Sequence, residues 1–161
     1  KDPADVTGRG AGLSSEGLNR KINAIRSAIA VNKPDSKDAI DVIAKVGGLD
    51  IAGMVGCYLG AAICQMPILI DGFISAVSAY LACMLNQTAK EYMIPTHCSA
   101  EPAAKMIMEK LGMEAPLHAG MHLGEGTGAI MGLSLIDQAV NVYYHVATFE
   151  GGHVEAYTHQ V

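Results

Sequence analysis

The chain has 161 residues, half of them apolar, which is enough for one domain with a core of its own. Its formal net charge is −5 and no run of like charge exceeds two residues, which excludes a nucleic-acid partner because phosphate binding needs a basic face. Six Tyr, two Phe and no Trp also leave too few aromatic side chains for a base-stacking platform.

The first predicted elements are a glycine-rich loop and two helices. The loop covers residues 6–13, and Ser14 or Ser15 is placed to cap a helix with isoleucines at helical spacing. That helix ends near Pro34, because the residue before a proline avoids the helical conformation. Ser36 is the expected cap of a shorter second helix, which stops at the next pair of glycines.

Beyond these helices, helical and extended segments alternate. The predicted elements are a helix of small residues, a strand, a helix, a second strand and a helix opened by Glu101-Pro102, over residues 49–65, 67–71, 73–85, 93–96 and 101–111. An extended segment over residues 115–123 and a long apolar-faced helix over residues 127–145 follow. The alternation predicts an α/β domain with a mostly parallel sheet flanked by helices, in Rossmann-like layers.

Two uncharged stretches leave a membrane hairpin protein open as an alternative. Residues 51–70 and 72–89 carry no charge, and their lengths would suit a pair of membrane-spanning helices. Three glycines and Pro67 interrupt the first stretch, however, and no Lys/Arg cluster flanks either one. The sequence therefore favours a domain with no membrane partner.

The sharpest motif is Leu-Gly-Glu-Gly-Thr-Gly-Ala at residues 123–129. Alternate glycines expose backbone N–H groups, and the next helix points its positive end at this loop, which suits a phosphate or carboxylate. Glu125 is an anion within that loop, so a catalytic role would explain it, and the alternative is a capping turn with a solvated glutamate. The motif matches the dinucleotide-binding pattern only weakly, because the acidic residue expected about twenty positions later is Glu150, beyond the helix.

Polar residues follow both predicted strands. Asp71 and Gly72 end the first strand, where the crevice of an open α/β sheet places a side chain near a ribose hydroxyl. The alternative is that Asp71 caps the next helix. Ser99 follows the second strand, where it either contacts a ligand or caps the helix that Glu101 opens.

Neither metal chemistry nor disulfide bonding is expected. His118 and His122 lie in an extended segment, which places their imidazoles roughly 13 Å apart, and no other cluster has metal-ligand spacing. The four cysteines form no Cys-x-x-Cys pair, and three fall in apolar helical stretches: Cys57, Cys64, Cys83 and Cys98. Buried, reduced thiols in a cytoplasmic protein fit this pattern.

Four motifs in order resemble the nicotinate-nucleotide–dimethylbenzimidazole phosphoribosyltransferases. They are Lys45-Val-Gly-Gly48, Ile70-Asp-Gly-Phe-Ile-Ser75, His97-x-Ser-Ala-Glu101 and the glycine-rich motif of residues 122–129. The similarity extends to about Phe149. It implies the C-terminal half of such an enzyme, with a parallel-sheet α/β domain, a small helical domain and a homodimeric assembly.

The resemblance also implies a role for each site residue. Glu125 would be the general base on the N–H of the benzimidazole, and Lys21 would pair with the nucleotide phosphate, supported by Gly10. The ribose and nicotinate surroundings would comprise Asp50, Asp71, Gly72, Ser99, Leu123, Gly124 and Gly126. The leaving ring of nicotinate mononucleotide is already cationic, so one base suffices, without a metal or cofactor.

The expected reaction transfers phosphoribose from nicotinate mononucleotide to 5,6-dimethylbenzimidazole, giving α-ribazole 5′-phosphate and nicotinate for cobalamin biosynthesis. A non-catalytic nucleotide-binding module is the main alternative. We expect residues 1–149 to form the C-terminal part of the α/β domain, with the last helix contributing to the small helical domain, and residues 150–161 to form a polar tail. Because the chain begins at Lys1 and family members are roughly twice as long, we expect a fragment that shows no turnover without the pocket residues upstream.

Overall fold

A computed structural model describes residues 1–10 and 12–155 of the chain. The expected polar tail lies outside the described residues from position 156 onward. Seven α-helices, two strands and one 3₁₀-helix occur in the described part: α1 (Pro3–Val6), α2 (Ser15–Asn32), α3 (Ala39–Val46), α4 (Leu49–Ile63), β1 (Ile68–Ile70), α5 (Phe73–Leu85), the 3₁₀-helix (Gln87–Tyr92), β2 (Met93–Pro95), α6 (Ala104–Leu111) and α7 (Thr127–His145).

The two strands form a small parallel sheet. Ile68 pairs with Met93 and Ile70 pairs with Pro95, so the carboxyl ends of β1 and β2 lie side by side. A parallel bridge between His97 and Leu117 extends the pairing beyond β2. The α/β class and the parallel pairing are confirmed, and the extended segment predicted over residues 115–123 pairs at this bridge.

Small side chains fill the core where α4, α5 and β1 meet. Ala79, Ala82 and Ala89 are fully buried, and alanine lets neighbouring helix backbones approach closely. Tyr58 of α4 and Ile70 of β1 add larger buried surfaces to the same cluster. This cluster packs α4 against α5 and includes the end of β1, and it thereby fixes the position of the residues that follow β1.

Three local predictions are wrong in detail. Asp38, not Ser36, caps α3, because its Oδ1 accepts hydrogen bonds from the backbone N–H groups of Ile40 and Asp41. The helix after β2 begins at Ala104, so Pro102 lies in the turn that precedes it. The helix α4 ends at Ile63, two residues before the predicted end. Each error concerns which of several neighbouring residues ends or begins a helix.

The cysteines are less buried than the apolar stretches predicted. Cys57 and Cys64 are exposed, and Cys98 is half-buried. Cys83 is buried, and this burial raises the pKa of its thiol above the usual value. No helix in the part of the chain that the structure describes is both long and apolar enough to cross a bilayer.

Two glycines seat α7 on the end of β2. Gly128 and Gly132 are the buried residues of this helix, one turn apart. A Cβ atom on Gly132 would lie 2.5 Å from Thr96 Cγ2, and one on Gly128 would overlap the His97 ring. The helix backbone therefore lies directly against the chain that leaves β2.

Most of the remaining surface of α7 is exposed and apolar. We call it the α7 apolar face, and it comprises Ile130, Met131, Leu133, Leu135, Val140, Val142, Tyr143 and Tyr144. A helix that exposes this many large apolar side chains is typical of an element that is covered in a larger assembly.

A substitution at Gly132 tests whether α7 packs directly against the chain that leaves β2. Gly132→Ala should destabilise the complete protein by about 1–3 kcal/mol, because the β-branched Thr96 side chain cannot move away from the added methyl group. Gly56→Ala on α4 is the matched control, since its Cβ meets no atom within 4 Å. The control should stabilise the protein by about 0.5–1 kcal/mol through helix propensity alone. Chemical denaturation measures both, and shifts of the same sign would contradict the seat.

Candidate active site

Three segments meet at the carboxyl edge of the parallel sheet. Asp71 and Gly72 follow β1, residues 96–102 follow β2, and the loop before α7 lies against both. A Cβ atom on Gly72 would lie 3.6 Å from His97 Cε1 and 3.8 Å from Gly124 Cα. Ligands of open α/β sheets bind at this edge, so the fold places the predicted residues where such a site is expected.

The Asp71 carboxylate caps α7. Its Oδ2 accepts a hydrogen bond of 3.1 Å from the Gly126 N–H, and its Oδ1 accepts one of 3.0 Å from the Ala129 N–H. The carboxylate therefore occupies the positive end of the helix, where anions are stabilised. The alternative that Asp71 caps the next helix is wrong, because the next helix, α5, has no side-chain cap. Contact between Asp71 and a ribose hydroxyl stays a prediction.

The Ser75 hydroxyl binds the backbone of Asp71, and the Tyr58 hydroxyl binds Ser75 in turn. Ser75 Oγ accepts a hydrogen bond of 3.0 Å from the Asp71 N–H and lies 2.6 Å from Tyr58 Oη. Burial raises the pKa of Tyr58 to about 12, although its hydrogen bond to Ser75 opposes that rise. The phenol therefore stays protonated at neutral pH and keeps the link between α4, α5 and the end of β1.

The loop that carries Glu125 has an unusual backbone. Gly124, Glu125 and Gly126 have φ angles of 77°, 54° and 80°, so three successive residues are left-handed. Thr127 stabilises this turn, because its N–H and its hydroxyl both donate to the Gly124 carbonyl, at 3.1 and 2.7 Å. The left-handed conformation is strained for glutamate but not for glycine. Other non-glycine residues, such as Lys33, are left-handed as well. What distinguishes Glu125 is that its strained backbone lies in a glycine-rich loop at the carboxyl edge of the sheet.

The Glu125 side chain faces outward. It is exposed, and it makes no hydrogen bond or salt bridge to any other residue in the described ranges. Leu123, on the same loop, has 72% of its surface exposed. The loop therefore presents to solvent a carboxylate and, two residues earlier, an apolar side chain.

His97 received no role from its sequence motif, although the structure places it at the centre of the site. It is 3% exposed, and within the described residues neither ring nitrogen has a hydrogen-bond partner. Its ring lies between Gly72 and Gly128, which stand at the starts of two helices. The sequence shows Gly72 and Gly128 in separate motifs before and after the His97 motif. Only the fold shows that both glycines contact the His97 ring.

The lysine and the first glycine-rich loop form one unit. Lys21 Nζ donates a hydrogen bond of 3.0 Å to the Gly8 carbonyl, and it lies 3.9 Å from a Cβ built on Gly10. Gly10 has a φ angle of 57°, which favours glycine. No salt bridge in the described part of the chain includes Lys21. The ammonium group is therefore placed beside the loop and can bind an anion.

This loop docks onto the turn after β2. The Glu101 carboxylate lies directly against Gly8, and Pro102 Cδ is 2.9 Å from a Cβ built there. Ser99 Oγ accepts a hydrogen bond of 3.3 Å from the Glu101 N–H, so Ser99 stabilises the turn that precedes α6. Through this contact the loop of Gly10 and Lys21 lies against the turn that follows β2.

Nearly all the predicted site residues belong to this edge. The segments that meet there carry Gly10, Lys21, Asp71, Gly72, Ser99, Leu123, Gly124, Glu125 and Gly126. Asp50 is different, because it lies in the first turn of α4 beside Gly48 and makes no hydrogen bond to the described residues of the edge. No group of three metal-ligating side chains occurs within the described ranges.

Comparison with known proteins decides the family. Residues 1–154 match a family model described as phosphoribosyltransferase. The chain belongs to this phosphoribosyltransferase family. Over 157 residues it is 51% identical to the nicotinate-nucleotide–dimethylbenzimidazole phosphoribosyltransferase of Acetivibrio thermocellus, covering 98% of this chain and 45% of that relative. The enzyme of the same name from Clostridium acetobutylicum is 50% identical over 153 residues, covering 95% and 44%.

A solved member of the phosphoribosyltransferase family has the same fold. The crystal structure of CobT from Thermus thermophilus superimposes with a TM-score of 0.86 at 33% identity, covering 95% of this chain and 45% of that chain. The resemblance carried by the four sequence motifs is thus confirmed. The chain spans less than half the length of the curated relatives that it matches.

The strained loop gives a prediction about stability. Glu125→Gly should stabilise the complete protein by up to about 1 kcal/mol, because glycine adopts the left-handed conformation without the strain. Lys33→Gly is the matched control: Lys33 ends α2 with a φ angle of 45°, and its replacement should be stabilising too. Thermal unfolding measures both. A Glu125→Gly variant less stable than the parent would show that this loop does not hold a left-handed glutamate.

Proposed function

We propose that the complete protein transfers phosphoribose from nicotinate mononucleotide to 5,6-dimethylbenzimidazole or a related base. The products are α-ribazole 5′-phosphate and nicotinate, and the pathway is cobalamin biosynthesis. The observation that carries the proposal is Glu125, an outward-facing carboxylate held in a left-handed loop at the ligand edge of the sheet. The names of the relatives support it.

The chemistry needs one base and no acid at the leaving group. A benzimidazole nitrogen attacks C1′ of the ribose, and the electrons of the C1′–nitrogen bond return to the pyridinium ring, which leaves as nicotinate. The attacking ring would become cationic, so its other nitrogen must lose a proton. Glu125 accepts that proton, and its carboxylate is suited to this task because it is exposed to an incoming ring. The proposal includes no metal and no cofactor.

The nucleotide phosphate is assigned to Lys21 and the loop that contains Gly10. A phosphate there would gain charge-assisted hydrogen bonds from the ammonium group and from loop N–H groups. The ribose and nicotinate are assigned to the rest of the edge, comprising Gly72, Ser99, Leu123, Gly124 and Gly126. The resemblance groups Asp71 with these residues, and its carboxylate accepts hydrogen bonds from the loop backbone. Asp50 stays in this assignment through the resemblance alone. Holding both ends of the nucleotide would align C1′ with the incoming base.

The assembly we propose is a cytoplasmic homodimer of the complete protein. The α7 apolar face supports an assembly, because it exposes a long apolar surface in the chain by itself.

Release of nicotinate distinguishes the enzyme from a non-catalytic nucleotide-binding module, which would bind nicotinate mononucleotide without turning it over.

Replacement of the proposed base tests the reaction. Glu125→Gln in the complete protein should lower turnover by at least about a hundredfold, the usual scale for the loss of a general base, with little change in nucleotide affinity. Nicotinate release measures turnover, and calorimetry measures binding. Glu109→Gln on α6 replaces another exposed carboxylate and should be neutral. Near-normal turnover by Glu125→Gln would exclude Glu125 as the base.

The phosphate assignment has its own test. Lys21→Ala should weaken the binding of nicotinate mononucleotide more than that of nicotinate riboside, because only the nucleotide carries the phosphate that the ammonium group binds. Lys105→Ala, an exposed lysine on α6, should change neither affinity. Equal losses for the two ligands would show that Lys21 acts on folding and not on the phosphate.

A further inference from the structure

The Asp71 carboxylate grips the backbone next to the proposed base. Its Oδ2 accepts from the N–H of Gly126, and that N–H belongs to the same peptide group as the carbonyl of Glu125. The orientation of this peptide group sets ψ of Glu125. The other carboxylate oxygen, Asp71 Oδ1, accepts a hydrogen bond from the Ala129 N–H in the first turn of α7. The two bonds therefore fix both the strained residue and the helix that follows it.

The same carboxylate faces α7. A Cβ atom built on Gly128 would lie 3.0 Å from Asp71 Oδ1 and would overlap the His97 ring. Oδ1 thus lies under the first turn of the helix, beside a buried aromatic ring. In this position both carboxylate oxygens accept hydrogen bonds from backbone N–H groups, Oδ2 from Gly126 directly before α7 and Oδ1 from Ala129 in its first turn.

Hydrogen bonds from α5 and α4 stabilise the position of Asp71. Ser75 of α5 accepts from its N–H, and Tyr58 of α4 is hydrogen bonded to Ser75 at 2.6 Å. Asp71 directly follows β1, and a shift of its main chain would break the hydrogen bond from its N–H to Ser75. A continuous set of hydrogen bonds therefore runs from α4 through Ser75 and Asp71 to the loop of Glu125.

We propose that Asp71 is a positioning residue that acts on the reaction through Glu125, because its carboxylate holds the Glu125–Gly126 peptide group and the N-terminus of α7. Ser75 and Tyr58 support it from α5 and α4. The inference rests on the proposed function, since it assigns Glu125 the role of base. It differs from a ribose-binding role, in which Asp71 would act on the nucleotide directly.

A double-mutant cycle in the complete protein separates the two roles. Asp71→Asn should lower kcat by about tenfold or more, because a displaced catalytic group loses its alignment, while the KM for nicotinate mononucleotide changes far less. In a Glu125→Gln background, Asp71→Asn should cause no further loss beyond about twofold, because residues that act as a unit are not additive. Losses that multiply, or a raised KM with normal kcat, would overturn the proposal in favour of ribose contact.

A second measurement does not depend on activity. Hydrogen exchange of the Gly126 and Ala129 amides should accelerate by about tenfold in Asp71→Asn, the scale expected when a helix cap is lost. Ser75→Ala, which removes support without touching the loop, should accelerate the same amides to a smaller extent. Asp137→Asn, an exposed residue on α7, is the matched control and should leave exchange unchanged.

The kinetic and the hydrogen-exchange measurements distinguish a failure of the proposed function from a failure of the positioning role. Absence of turnover in the parent protein would contradict the proposed function, and the exchange data would still test whether Asp71 holds the loop. Unchanged exchange in Asp71→Asn would overturn the positioning role whatever the activity. A folded variant is verified by its circular dichroism spectrum and by a thermal transition close to that of Asp137→Asn.

Discussion

The hydrogen bonds from Asp71 to the N-terminus of α7 join residues 55 and 58 positions apart in the sequence. They replace water at helix N–H groups that have no partner within the helix, and they place a negative charge at its positive end. Such a contact contributes up to about 2 kcal/mol when partly buried. These hydrogen bonds are important for the position of α7, because Gly128 and Gly132 are the buried residues of this helix.

Close backbone approach is the common feature of this site. Gly8 faces Glu101, Gly72 faces His97, Gly128 faces His97 and Gly132 faces Thr96. Each contact joins a glycine to a side chain of another segment. A methyl group added at Gly8, Gly128 or Gly132 would overlap that side chain, whereas one added at Gly72 would make an ordinary van der Waals contact. The site therefore depends on main chains that come close to the side chains of other segments, which glycine permits because it has no Cβ atom.

Hydrophobic spacing and flanking glycines were enough to predict α5 and α7 to the residue, and a short β-branched run predicted β1. These signals are local, so the sequence contains them directly. The cap of α3 was mistaken because Ser36 and Asp38 are both good caps two positions apart. The 3₁₀-helix over Gln87–Tyr92 has no hydrophobic period and was not predicted. The partner of Asp71 and the two glycines around His97 depend on chain segments that meet only in the folded protein, so no local pattern identifies them.

The left-handed backbone at Glu125 also bears on how this family can diverge. Stability and the proposed chemistry favour different residues at this position, since glycine relieves the strain and the proposed base is a carboxylate. Once the demand for the base is removed, nothing physical opposes the exchange of glutamate for glycine. A relative with the same glycine-rich loop but with glycine in place of Glu125 would therefore be a marker of lost transferase chemistry within a conserved fold.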